Sequence, residues 1–406
     1  MTEATEAAPE RRGNAGEVFR AFLKLGFTSF GGPIAHLGYF RDELVVRRRW
    51  VDEQGYADLV ALCQFLPGPA SSQVGFALGL LRGGPLGALA AWAAFTLPSA
   101  LALVLFAFGA DAIGGPVGTG IVAGLKIVAV AIVAQAVWGM ARSLCPDRER
   151  AGIALAAVLV VVFLAGSAGQ VAAIAIGGLA GLWLCRGGDV PVGGHIRFPV
   201  ARTAGLAALV LFLALLTGLP LLAAAGSSQA LAVFDAFYRA GALVFGGGHV
   251  VLPLLETETV RSGWVSADAF LAGYGAAQAV PGPLFTFAAY LGAVLGPAPN
   301  GIAGAALALV ALFLPGLLLV VGAVPFWDDF RTRPQAQALM RGANAAVVGI
   351  LGAALYDPVF TSAIHGSRAF ALALAGFVLL TAFKAAPWAV VLLSAAGGVL
   401  LGMGTP

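Results

Sequence analysis

The sequence predicts an all-α integral membrane protein in which two inverted-topology repeats with broken, re-entrant helices are joined by one linker transmembrane helix. Three observations predict this fold. The chain is 60% hydrophobic and only 11% charged, whereas a soluble domain carries about 25% charged residues. Apolar segments of the length that spans a bilayer, roughly 20 residues each, follow one another along the chain. The second half of the chain also repeats motifs of the first half in the same order.

The apolar segments begin after a polar tail, residues 1–16, which lacks the apolar core of a signal peptide and is predicted to be disordered. Each segment is predicted to form a helix in the membrane. The segments are 17–40, 56–81, 85–109, 117–141, 151–166, 168–185, 202–225, 229–255, 266–296, 299–324, 336–356, 368–384 and 386–404.

Glycine and proline motifs relate the two halves of the chain. Internal duplication of this kind is frequent in secondary transporters. The matched pairs are SFGGP at 29–33 with VFGGG at 244–248, Pro-Gly-Pro at 67–69 with Pro-Gly-Pro at 281–283, and FTLPS at 95–99 with LFLPG at 312–316.

One apolar segment, 202–225, has no counterpart in the other half. As many segments precede it as follow it, so this single extra crossing makes the second half enter the membrane from the opposite side. The predicted organisation is a tail at 1–16, a first repeat at 17–185, a linker with one transmembrane helix at 186–228, and a second, inverted repeat at 229–404.

The basic loop RDELVVRRRW at 41–50 bears on how the broken segments cross. Basic residues favour the cytoplasmic side of a membrane. If segments 17–40 and 56–81 both turn back at their breaks, this loop stays inside together with most other basic residues. We therefore prefer re-entrant segments, with fully crossing segments as the alternative. The halves are inverted in both versions.

The Pro-Gly-Pro motifs are predicted to break helices at a binding site. Proline removes a backbone donor and glycine permits a sharp reversal. The run 56–66 spans about 16 Å as a helix, roughly half of the hydrocarbon core. A new helix starting near Ala70 would present unpaired amides with partial positive charge, which suits an anion. Simple proline kinks are the alternative.

The candidate substrate-binding residues are those of the breaks and the polar residues beside them. For the histidines and glutamines, a structural hydrogen bond is the alternative role. The candidates are Gly31, Gly32, Pro33, His36, Gln64, Pro67, Gly68, Pro69, Ser71, Ser72, Gly246, Gly247, Gly248, His249, Gln278, Pro281, Gly282, Pro283 and Thr286.

Lys126 and its repeat counterpart Asn344 complete the candidate site. Lys126 lies deep in a predicted span, and a cation buried in a membrane usually faces a partner or a pathway. We predict that it is the counter-charge of a bound anion. Snorkelling, or a structural pair with Asp111 or a carbonyl group, is the alternative. Because the predicted interior is rich in donors and has no carboxylate in mid-span, an anion is favoured over a cation.

Nothing in the sequence predicts an enzyme. The three cysteines have no paired spacing and the four histidines are scattered, so we predict no metal site, no cofactor and no catalytic residue. No feature indicates a nucleic-acid partner.

The motifs resemble those of the chromate ion transporter family. In the first half they are FTSFGGPIAHLGYFRDELVVRRRWVDE and ADLVALCQFLPGPASSQVGFALG. In the second half FGGGHVVLPLLE and WVSADAFLAGYGAAQAVPGPLFTFAAYLG resemble the C-terminal domain of the same family. The resemblance covers 17–404, essentially the whole chain.

The resemblance implies a two-domain transporter that exports chromate across the bacterial inner membrane, confers chromate resistance and depends on proton-motive energy. It also implies relatedness to sulfate handling, since both ions are tetrahedral dianions. The expected partners are chromate, or sulfate, and membrane lipid, and a homodimer is left open. The alternatives are a transporter of sulfate or another anion, an anion channel and, least favoured, an enzyme.

Overall fold

The computed structural model describes residues 13–110, 115–164, 166–186, 198–226, 228–327, 329 and 333–403. Every regular element in these ranges is helical, which confirms the predicted all-α class. Most of the predicted tail, residues 1–12, and part of the predicted linker, residues 187–197, lie outside the described residues.

The helices follow the predicted apolar segments closely. In the first half they are α1 Ala15–Thr28, α2 Gly32–Phe40, α3 Glu53–Phe65, α4 Ala70–Ala110, α5 Gly115–Leu144, α6 Arg148–Phe163 and α7 Ser167–Leu184. Helix α8, Arg202–Ala225, coincides with the predicted linker helix. In the second half they are α9 Gln229–Ala242, α10 Val251–Thr259, α11 Ala267–Ala277, α12 Phe287–Val294, α13 Gly301–Ala323, α14 Pro334–Ala354, α15 Ser367–Thr381 and α16 Pro387–Met403.

Six helices of the described part are long and apolar enough to cross a membrane. Their surfaces carry large apolar side chains such as Leu105, 71% exposed, and Trp183, 78% exposed. In water each such side chain would forgo roughly 1.5–3 kcal/mol of burial energy, whereas lipid solvates it. The chain is therefore a multi-pass membrane protein. The spans are Ala70–Gly109, Gly115–Leu144, Ser167–Leu184, Arg202–Ala225, Gly301–Phe326 and Pro334–Ala363.

All four predicted breaks interrupt helices. Helix α1 ends before the first glycine pair, and α3 ends before the first Pro-Gly-Pro turn. In both turns the central glycine has a positive φ, 123° at Gly68 and 99° at Gly282. Side chains of L-residues rarely adopt this backbone conformation. The glycine therefore has a conformational role in each turn.

Within the range given for α4, the chain reverses its direction. The backbone leaves helical geometry at Gly83 and Gly84, where φ is −128° and 64°. A Cβ atom on Gly79 would lie 2.5 Å from the Gly87 carbonyl oxygen, although a straight helix would separate these residues by about 12 Å. The arms 70–82 and 85–110 therefore fold back on each other, which agrees with the predicted segment boundary.

The long helices of one half pack on helices of the other half. Helix α5 packs against α16, and its repeat counterpart α14 packs against α7. Glycines allow close backbone approach in both interfaces, Gly124 with Gly398 in the first and Gly342 with Gly181 in the second. Small residues are the usual means of tight packing between membrane helices. The core therefore lies between the halves.

Local contacts also recur at the spacing of the sequence repeat. The Lys24–Glu43 ion pair, at 2.7 Å, has its counterpart in Arg239–Glu258, at 3.1 Å. Likewise the side chains of Asp52 and Ser266 cap α3 and α11. These pairs agree with a duplicated unit. The inverted orientation of the halves and the domain bounds stay predictions.

Candidate functional site

A cavity of about 640 Å³ lies where the breaks of the two halves come together. Helices α2 and α3 form one wall, and α14 with the second glycine break forms the other. Pockets for small ligands typically measure about 300–1,000 Å³. The size and place of this cavity make it the candidate binding site.

Backbone hydrogen bonds tie the breaks of each half to the other half. The Gly68 N–H donates to the Val244 carbonyl oxygen at 2.7 Å, and the Gly282 N–H donates to the Ser29 carbonyl oxygen at 2.8 Å. Val244 and Ser29 occupy equivalent places, just before the glycine breaks. A Cβ on Gly248 would lie 3.4 Å from Pro33. The four breaks therefore meet in one region of the molecule.

Six of the predicted site residues line the cavity. They come from both halves and from three of the four breaks, with an amide from α3 and another from α14. They are Pro33, Gln64, Gly68, Gly246, Gly247 and Asn344.

The start of α4 reaches the cavity, but the hydroxyl groups predicted there do not. Ala70 lines the cavity. Ser71 and Ser72 are buried elsewhere, and Ser71 Oγ lies 3.3 Å from His36 Nδ1. These three side chains therefore do not line the cavity in this geometry, and their part in binding stays a prediction. His36 and Ser71 are partners inside the protein, and the His36 ring also packs edge-on against Phe95 of α4.

The second Pro-Gly-Pro turn is also covered rather than open to the cavity. A Cβ on Gly282 would lie 2.7 Å from Ser99 Oγ, so α4 closes over the turn. Thr286 donates its hydroxyl to the Pro283 carbonyl oxygen at 2.7 Å. Neither Gln278 nor the flanking prolines Pro281 and Pro283 line the cavity.

His249 likewise has a partner away from the cavity. Its Nδ1 lies 2.6 Å from the Tyr274 hydroxyl oxygen. The alternative of a structural histidine is therefore the one that this geometry favours. Gly31, Gly32, Pro67, Pro69 and Gly248 shape the breaks without lining the cavity.

Lys126 does not line the cavity, so its predicted role as the counter-charge of an anion has no support from this geometry and stays a prediction. Its Nζ pairs with Asp268 Oδ1 at 2.5 Å, and the Lys126 side chain is 13% exposed. The alternative of a structural ion pair is favoured, although with a carboxylate of α11. Asp111, the partner considered from the sequence, lies outside the described residues. The counterpart Asn344, in contrast, lines the cavity.

Arg341 and Asp58 are the charged residues of the cavity wall that sequence reasoning missed as site residues. By sequence, Arg341 is one of the basic residues that favour the cytoplasmic side of the membrane. Its spacing to Gln337 and Asn344, four and three positions, puts all three on one face of α14. That polar stripe is a signal which could have revealed it. The buried Asp58 carboxylate accepts a hydrogen bond from Trp327 Nε1 at 3.1 Å.

Residues 16–182 and 231–399 match the model of a family described as Chromate transporter. The chromate transport protein of Pseudomonas aeruginosa is 29% identical over 98% of this chain and 94% of its own length. The probable chromate transport protein of Synechococcus elongatus is 28% identical over 82% of each chain. The chromate transport protein of Cupriavidus metallidurans is 28% identical over 89% of this chain and 87% of its own. No solved structure matches the chain.

Proposed function

Because the chain belongs to the chromate transporter family, we propose that it is a secondary transporter that exports chromate across the bacterial inner membrane and thereby confers chromate resistance. The family supports chromate transport across the membrane, and the long apolar helices supply the membrane-spanning body. Export, resistance and the mechanism below are the parts that we propose.

The cavity is the observation that supports the proposal most directly. An anion that leaves water needs hydrogen-bond donors or positive charge to replace its hydration. The described lining offers the Arg341 guanidinium, the Gln64 and Asn344 amides, and the start of α4 at Ala70. Membrane transporters bind substrate near breaks of this kind, at the interface between repeats.

An asymmetry between equivalent helix pairs supports alternating access. Helices α5 and α11 are in close contact, because a Cβ on Gly275 would lie 2.3 Å from the Leu125 carbonyl oxygen. The Lys126–Asp268 ion pair lies in the same contact. The counterpart helices, α14 and α3, instead form facing walls of the cavity. One pair is closed while its counterpart is open, as expected of a carrier that exposes its site to one side at a time.

The charge of the substrate supports outward movement. Moving one charge across the membrane potential changes its free energy by roughly 2.3 kcal/mol per 100 mV. A dianion therefore gains about twice that amount when it leaves a cell whose interior is negative. In this account the membrane potential contributes to export even when no other ion is coupled.

Counterflow in inverted membrane vesicles tests the proposed function. Vesicles that contain the protein are loaded with unlabelled chromate and diluted into a trace of labelled chromate without an energy source. A carrier should accumulate label transiently. Each unlabelled chromate ion that the carrier releases outside the vesicle leaves the binding site facing the labelled chromate, which the carrier then takes inside. Vesicles without the protein are the control. Label that only equilibrates would indicate a channel, and absence of uptake would contradict chromate transport.

Sulfate is the alternative substrate, since it is also a tetrahedral dianion that the same donors can bind. Competition decides between the two anions. Unlabelled chromate should inhibit uptake of labelled chromate at lower concentration than sulfate does. The reverse order would make sulfate the preferred substrate.

A further inference from the structure

We propose that Arg341 is the cation to which the transported anion binds, and that it gives this carrier a preference for dianions over monoanions of the same shape. The inference rests on the proposed function and adds the residue that recognises charge.

The position of Arg341 on α14 is the first part of the argument. Arg341 is half-buried and lines the cavity together with Gln337 and Asn344. Residues three and four positions apart lie on one face of a helix. Among the described residues that line the cavity, Arg341 is the basic one. An anion in this cavity therefore meets positive side-chain charge at one place.

Hydrogen bonds from both terminal nitrogens of Arg341 hold the guanidinium in a defined orientation. Nη1 donates to the Cys185 carbonyl oxygen at 3.2 Å, and Nη2 donates to Gln337 Oε1 at 3.2 Å. A guanidinium has five N–H donors in a planar fork that matches two oxygens of an oxyanion. A guanidinium fixed in this way is pre-organised to bind one.

The neighbouring amide adds a second donor. Asn344 Oδ1 is buried and has no hydrogen-bond partner in the part of the chain that the structure describes. Because the oxygen and nitrogen of an amide exchange places by a flip, the Asn344 side chain can turn its NH₂ group to an anion. A Cβ on Gly246 would lie 3.5 Å from this atom, so the second glycine break approaches the same point.

A purely structural role for Arg341 is the competing interpretation. Its bond to the Cys185 carbonyl lies just beyond α7, where a cation also stabilises the end of a helix. That role predicts a loss of stability when Arg341 is replaced, but no change in which anions compete for the site. Anion selectivity therefore separates the two interpretations.

Uptake of labelled chromate into inverted vesicles, with sulfate and perchlorate as competitors, tests the assignment. Both competitors are tetrahedral, but sulfate carries two charges and perchlorate one. For Arg341→Gln we expect the KM for chromate to rise at least about tenfold and the preference for sulfate over perchlorate to fall. Arg341→Lys should retain the preference with an intermediate KM. Arg142→Gln, exposed on α5 and outside the cavity lining, should behave like the wild type.

Gln337→Glu tests the same charge without removing Arg341. The substitution is nearly isosteric and puts a carboxylate beside the guanidinium, so it should weaken chromate uptake and sulfate preference in the same direction. If Arg341→Gln fails to accumulate in the membrane, the Gln337→Glu variant decides whether Arg341 binds the anion. A wild-type KM with unchanged sulfate preference, in either variant at normal membrane content, would overturn the assignment.

Failure of the proposed function gives a different result, since wild-type vesicles would then take up no labelled chromate. The purified protein decides the Arg341 assignment in that case. Sulfate should raise the Tm of the wild type more than perchlorate does, and this difference should vanish in Arg341→Gln. No difference between the two anions in the wild type, or the same difference in the variant, would overturn the assignment.

Discussion

Asp58 places a carboxylate in the wall of a cavity that we propose to hold an anion. The side chain is 5% exposed, and Trp327 donates a hydrogen bond to it. Repulsion between a carboxylate and a dianion is substantial wherever water screens poorly. The anion should therefore lie toward Arg341 and Asn344 rather than toward α3. We therefore expect the charge of Asp58 to weaken substrate binding.

We predict that Asp58→Asn lowers the KM for chromate by about two- to tenfold, because it removes this repulsion. The asparagine oxygen can still accept the Trp327 hydrogen bond, and the amount of protein in the membrane checks that folding is maintained. Chromate uptake at a series of concentrations measures the effect. Asp42→Asn, on the exposed basic loop, is the matched control. An unchanged or higher KM would mean that the charge of Asp58 does not weaken chromate binding.

For single residues, the sequence predicted which kinds of side chain are present in the membrane, but not which of them line the cavity. Lys126 was the obvious buried cation, yet its partner Asp268 comes from a distant part of the chain. Arg341 resembled a topology signal because its place near a helix start gave no sign of which way α14 faces. Packing of α14 against α6 and α7 sets that rotation. Such long-range packing cannot be read from local periodicity.

Helix limits and breaks were predictable because their causes are local. Proline and glycine disrupt helices through the geometry of their own backbone. The limits of α8 coincide with the predicted segment 202–225, and α3 and α4 stop and start on either side of Pro67 and Pro69. The covering of the second Pro-Gly-Pro turn by Ser99 was not predictable, since it depends on contact between the halves.

The two Pro-Gly-Pro turns provide a prediction about single glycines. Gly68→Ala adds a methyl group 3.1 Å from the Gly316 Cα atom, and Gly282→Ala adds one 2.7 Å from Ser99 Oγ. Both residues also have positive φ, which disfavours alanine. We expect each substitution to reduce chromate counterflow at least about tenfold, because each pushes the two halves apart at the site.

Gly166→Ala is the matched control for backbone strain. Gly166 has a φ of 94°, and a Cβ there would meet nothing within 4 Å. The control should keep most of its counterflow when compared at equal protein content in the membrane. If Gly68→Ala transports like the control, contact between the halves at the turn is not needed for transport.

At the scale of the whole molecule, the two halves of the duplicated chain pack against each other, and we propose that this packing couples their movements during transport. Each half supplies helices that the other half packs against, and each Pro-Gly-Pro turn donates a hydrogen bond to the backbone just before the other half's glycine break. A rearrangement of one half must therefore alter the other. The closed α5–α11 contact and the open α3–α14 cavity would exchange roles when the carrier changes state. We expect this exchange to move the site from one side of the membrane to the other.

Cysteine labelling at Gln64 and its repeat counterpart Gln278 tests this account most directly. Each is replaced by cysteine in a chain whose Cys63, Cys145 and Cys185 are replaced by alanine, after transport by that background has been verified. An impermeant maleimide is then applied to right-side-out and to inverted vesicles. We predict that the two cysteines react from opposite faces of the membrane and that chromate protects Gln64→Cys. Reaction of both cysteines from the same face, or no protection by chromate, would contradict two inverted halves that hold the anion between them.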